Sequence, residues 1–167
     1  MDNLFLKSLE NTLNKSTLLL NSITEQVYVD NKKAPFFTSI GSHIRHILDF
    51  YKCIFNGLSE NCIDLSVRER EISIENNISI AKLEINDILQ KIDNIKIYNL
   101  EKSILLIDDL GSGKISVPTN IYGILVQANS HTIHHYAIIS HLLYSLNIQI
   151  PDKTFGYNPT TKIKFTR

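Results

Sequence analysis

Ala128-Asn129-Ser130-His131-Thr132-Ile133-His134-His135-Tyr136-Ala137-Ile138-Ile139-Ser140-His141-Leu142 is the centre of a run from Thr119 to Leu146. Within that run Ile121, Ile124 or Leu125, Ala128, Ile138 or Ile139, Leu142 and Leu146 recur at three- and four-residue steps. This is the period of a helix with one apolar face. His131 and His135 fall inside the same stripe, four apart, so a helix stacks their imidazoles one turn apart. His134 and His141 lie on its flank. A helix this long and this apolar on one side needs other helices to cover it.

The preceding residues supply them. Leu4 to Val27 reads as a first helix, with Leu6, Leu9, Leu13, Leu20, Ile23 and Val27 on one side. Asn31 to Phe37, containing Pro35, is a loop. Thr38 or Ser39 then caps a second helix that Gly57 closes. Asn61 to Arg70 is polar and reads as irregular. A third helix runs from about Ile74 to Ile92, carrying Ile78, Ala81, Ile85, Ile88, Leu89 and Ile92. Ile95 to Val117 changes character: a short apolar run, Ile104 to Ile107, meets turn chemistry at Asp109-Leu110-Gly111-Ser112-Gly113. Thr119 or Asn120 starts the fourth helix. The predicted fold is all-α, an antiparallel four-helix bundle with a short β-hairpin-like or extended insertion before the fourth helix. One domain spans 1–167, with 151–167 an irregular tail that packs back over the bundle.

Composition narrows the function. Hydrophobic residues make up 43% and charged residues 20%, enough for a core and ordinary for a soluble protein. The net charge is zero and no basic stripe stands out, so nucleic-acid binding lacks support. No apolar stretch approaches ~18 residues, so no membrane span is expected. Met1-Asp2-Asn3-Leu4-Phe5 carries no basic stretch before a long apolar run, so no signal peptide is expected. Cys53 and Cys62 cannot build a disulfide framework, and Cys53 reads as a small core residue. These features point to a cytoplasmic protein.

Five of the six histidines fall in two windows, His131 to His135 and His43-Ile44-Arg45-His46. Two inward imidazoles in an apolar stripe are costly without partners. A divalent ion is one such partner and holds the rings neutral. Hydrogen bonds to other side chains, or a wet cavity, are the alternative. The third ligand should come from a facing helix. On a helical wheel of the second helix His43 points to the centre of the apolar face and His46 to its edge, so the wheel favours His43. Asp49 lies on the polar face with Arg45, where an ion pair is the simpler reading.

Ser39-Ile40-Gly41-Ser42-His43-Ile44-Arg45-His46-Ile47-Leu48-Asp49 resembles the second-helix signature of the DinB/YfiT-like superfamily. There a small polar and an aliphatic residue precede the ligand histidine by seven and six positions. His131-Thr132-Ile133-His134-His135 resembles that family's fourth-helix His-x-x-x-His motif. The resemblance implies a three-histidine centre of His46, His131 and His135, with His43 as the alternative to His46. It implies one divalent ion; three imidazoles suit zinc or nickel first, then iron or copper, with manganese a further candidate. Some members are thiol-dependent transferases that join a low-molecular-weight thiol to an electrophile. Others resemble metal-dependent hydrolases, and homodimers are common among them.

Three imidazoles leave an ion with open positions, as in catalytic rather than structural sites. The expected activity is therefore metal-dependent and thiol-dependent transfer on a small-molecule substrate. The alternatives are a hydrolase, or a helical protein that binds metal or a small ligand without turnover. His134 and Asp49 are the candidates for base or ligand orienter. Arg68 and Arg70 are the candidates for binding a carboxylate of the substrate or thiol, against a solvated charge run Arg68-Glu69-Arg70-Glu71.

Overall fold

Helix termination by side chains sets the element order. In the computed structural model, which describes residues 2–150 and 152–162, the helices are α1 (Asp2–Ser22), α2 (Glu25–Val29), α3 (Ile40–Gly57), α4 (Ile72–Asn76), α5 (Ile78–Asn94) and α6 (Ile121–Ser145). The strands are β1 (Cys62–Asp64), β2 (Ser103–Asp109) and β3 (Lys114–Asn120). The expected first helix breaks at Thr24, whose side chain accepts a bond from the Val27 amide and starts α2 instead. The expected third helix breaks at Asn77. Its side chain takes the amides of Ser79 at 2.9 Å and Ile80 at 3.1 Å, while its backbone is extended. Both residues offer the backbone a competing partner, which is why such side chains favour caps over helix interiors.

The expectation of an all-α bundle is not met. The stretch read as irregular contains β1, which pairs in parallel with β2, while β2 pairs antiparallel with β3. The result is a mixed three-stranded sheet of order β1-β2-β3, and the chain combines α and β structure. The physical reason is alternation. Ile63 and Leu65 are buried while Cys62, Asp64 and Ser66 are half-buried, a period of two that a three-residue strand shows only faintly.

The helices and sheet share one hydrophobic cluster that includes Leu6, Leu13, Ile44, Ile54, Ile85, Ile124 and Ile139 with Ile63, Ile104 and Leu106 of the sheet. α1 and α3 each pack against both α5 and α6. β1 lies on α3, and β3 leads straight into α6, where the Asn120 side chain caps the helix by accepting from the Gly123 amide at 2.8 Å. Gly57 is required where α3 ends: a Cβ there would overlap the Cys62 carbonyl and Ile63 of β1. The sheet thus braces α3 and α6, the two helices that carry the histidines.

The described part of the tail, 152–162, does fold back. Phe155 is buried and stacks on Tyr136 with ring centroids 4.4 Å apart. Tyr136 donates to the Thr12 carbonyl at 3.0 Å and lies 2.5 Å from Ser16 Oγ. Pro151 and residues 163–167 of the expected tail lie outside the described residues. The core stripe of α6 runs through Thr132, Tyr136 and Leu143 as well as the expected positions. His131 is thereby moved to its half-buried edge. No helix among the described residues is long and apolar enough to cross a membrane.

Candidate metal centre

Two caps place the histidines. Ser39 accepts from the Ser42 amide at 2.9 Å, and Ser42 Oγ accepts in return from the Ser39 amide at 3.1 Å. This reciprocal cap starts α3 one turn before His43. Asn120 starts α6 so that His131 and His135 face α3. The ring centroids are 4.5 Å apart for His131 and His135, 5.0 Å for His46 and His131, and 4.7 Å for His46 and His135. Each of the three rings offers one nitrogen, and these nitrogens all lie within 4.8 Å of one another. This is the sole such cluster of three or more histidine, cysteine or carboxylate groups among the described residues.

Burial keeps these rings neutral. Desolvation first, and then the neighbouring positive charges, push His46 and His131 down to about 4 and His135 down to about 2. Arg68 is the leading charge acting on His46 and His131, and His131 and His46 act on His135. Neutral imidazole is the form that binds a cation. His131 Nε2 is buried and has no hydrogen-bond partner among the described residues. A buried polar nitrogen left unpaired is costly, and a cation held by three imidazoles would satisfy it. Three close histidines with one orphaned nitrogen could hold a metal ion.

His43 is not part of the triad but touches it. Its Nδ1 lies 2.9 Å from Nδ1 of His135, and its Nε2 lies 2.9 Å from Thr38 Oγ1. Desolvation lowers its pKa as well. His43 is buried, as its place at the centre of the apolar face implies, and its ring packs behind His135.

The other expected site residues separate into two groups. Arg68 reaches the triad: its Nε donates to the Leu65 carbonyl at 2.9 Å, and its Nη1 lies 3.2 Å and 3.3 Å from the two ring nitrogens of His46. His134 is exposed, and its ring contacts His135 at 5.3 Å. Asp49 is buried and bonded to Arg45 at 2.7 Å, and Arg45 also meets Glu75 at 2.9 Å. Burial raises its pKa against the pull of Arg45. Asp49 is thus tied to an arginine and not to a histidine. Arg70 is exposed, with left-handed backbone at φ 52°. Cys53 is buried, donates to the Val67 carbonyl at 3.3 Å, and has its thiol pKa raised by burial.

Two neighbours escaped the sequence reading. Phe50 packs its ring against His131 at 4.9 Å, one turn after His46 on α3. Asp108 is close enough for its charge to act on His131. It follows Ile104 and Leu106 on the inner face of β2, so alternation along that strand was the signal available. Comparison with protein-family models, with curated proteins and with solved structures finds no match to this chain.

Proposed function

We propose that this chain is a divalent-metal-dependent enzyme of the DinB/YfiT-like type, with His46, His131 and His135 as its ligands. The observation that carries this reading is the buried, unpartnered Nε2 of His131 within a cluster of three neutral imidazoles. The donor set suits zinc or nickel. When bound, such an ion supplies Lewis acidity that lowers the pKa of a thiol or a water. The leading activity is transfer of a low-molecular-weight thiol to a small electrophile.

The chain's own residues fit supporting roles. Arg68 presents a cationic donor beside His46, suited to a carboxylate on the substrate or the thiol. Phe50 covers one face of His131 and excludes water from it. His134, exposed and against His135, is the candidate proton carrier at the mouth of the site.

A second reading is favoured by one observation: the Arg68 guanidinium already gives His46 a hydrogen-bond partner and opposes a second cation. On that reading the histidines form a polar cluster in a non-catalytic protein. Elemental analysis of tag-free protein separates the two, run beside His131→Ala and His46→Ala. About one divalent ion per chain, lost in both variants, supports the enzyme. A wild type that takes up neither zinc nor nickel rules it out. Turnover of an electrophile that needs added thiol then identifies transfer, whereas turnover without thiol identifies hydrolysis.

A further inference from the structure

A cleft of about 360 Å³ lies between the segment 33–38 and the C-terminal half of α6. Pro35 and Phe36 form one wall, and Ile138 and Leu142 form the other. Its volume is at the small end for sites that take small organic molecules, and its lining follows their pattern of apolar walls with few polar groups. Phe36 is 69% exposed, so its ring stands free beside the opening.

The polar groups in this lining are Lys33, His141 and the hydroxyls of Thr38 and Ser145. Lys33 is half-buried at the cleft and makes no side-chain hydrogen bond or ion pair among the described residues. No carboxylate among the described residues lines the cleft. A lysine without a carboxylate partner beside an apolar slot is complementary to an organic anion. No histidine of the triad lines the cleft, which reaches the cluster through Thr38 behind His43. Ile138 is three positions after His135 on α6, and Thr38 both lines the cleft and bonds His43.

We propose that this cleft binds an apolar carboxylate, with its hydrocarbon body between Phe36 and Ile138 and its carboxylate on Lys33. This binding does not depend on the enzyme reading above. A neutral or cationic ligand of the same shape gains nothing from Lys33, so charge selectivity is the signature.

The test is a ligand-observed NMR titration of the full-length, metal-free chain with octanoate, octan-1-ol and octylamine. Octanoate should bind about tenfold tighter than octanol, the value of one charge-assisted hydrogen bond. Octylamine should bind more weakly than either. Lys33→Gln should erase the preference for octanoate while leaving octanol binding unchanged. Ile138→Gln should weaken all three, with circular dichroism checking that the variant is folded. Octanoate binding that is absent, or unaltered by Lys33→Gln, overturns the proposal. Because the titration contains no metal, it can fail while ion binding succeeds. If octanoate binds with this selectivity and no ion is found, the enzyme reading falls and the ligand site stands.

Discussion

His43 and His135 face each other through their Nδ1 atoms at 2.9 Å, and Thr38 Oγ1 stands 2.9 Å from the far nitrogen of His43. Two imidazole nitrogens at that distance share one proton, so one ring donates and the other accepts. If His135 Nδ1–H donates to His43, then His43 Nε2–H donates to Thr38. The remaining nitrogen of His135 keeps its lone pair for the triad. The hydroxyl and His43 then fix the tautomer and tilt of a candidate ligand.

His43→Ala should therefore weaken zinc binding by about 10- to 100-fold, the usual cost of losing the group behind a ligand histidine. Thr38→Val should have a smaller effect in the same direction. Competition against a chromophoric chelator reads both. Equal affinities in wild type and His43→Ala would mean that this pair of bonds does not orient the site.

Removing Arg68 should act in the opposite sense. Its guanidinium lies 3.2 Å from His46, where it opposes an incoming cation. Arg68→Ala should tighten zinc binding by about tenfold at low salt, with the gain shrinking as salt screens the charge. Weaker binding in that variant would show that Arg68 holds His46 in place rather than repelling the ion.

Stability of the metal-free chain should fall on the acid side of neutrality. His46 and His131 are lowered to about 4 and His135 to about 2, with burial the first cause. In the unfolded chain each titrates near ~6.5. Between those values the unfolded state binds more protons, so stability rises with pH across the window. The contribution is complete above about 6.5 and is lost as pH drops toward 4 for His46 and His131, and on toward 2 for His135. Urea midpoints at several pH values check this; His131→Gln should flatten the slope, and a flat wild-type profile would contradict it.

Gly41→Ala tests how closely α4 must approach α3. A Cβ at Gly41 would overlap the Glu75 carbonyl and press on the Tyr28 ring. Overpacking of this kind costs about 1–3 kcal/mol. Because Glu75 also bonds Arg45, the shift should loosen the Arg45–Asp49 pair. Equilibrium urea unfolding measures the loss; a variant as stable as the wild type would mean that α4 moves aside at little cost.

The long amphipathic helices were legible because their burial repeats many times. Ile78, Ala81, Ile85, Ile88 and Ile92 are all buried, as their spacing implies. The breaks at Thr24 and Asn77 were not, since apolar period continues through both and the interruption comes from one side chain each. β1 was missed because three residues carry too little alternation, and its partner lies in a segment far along the chain. In the candidate site, the spacing of four sets His131 and His135 on adjacent turns. The choice between His43 and His46 was not decidable from a wheel, since both rings end within contact distance of His135. Asp49 pairs with Arg45, as its place beside that residue on the polar face implies, but its burial is not legible there, since it comes from tertiary packing.

The histidine cluster joins two helices that are remote in sequence, with His43 and His135 separated by 92 residues. No local segment can form it, so the cluster exists only after α3 and α6 have docked. An ion bound there would act as a clasp that senses completed folding. It would raise the melting temperature in proportion to the logarithm of its concentration, and it would have no affinity for a chain in which either helix is displaced.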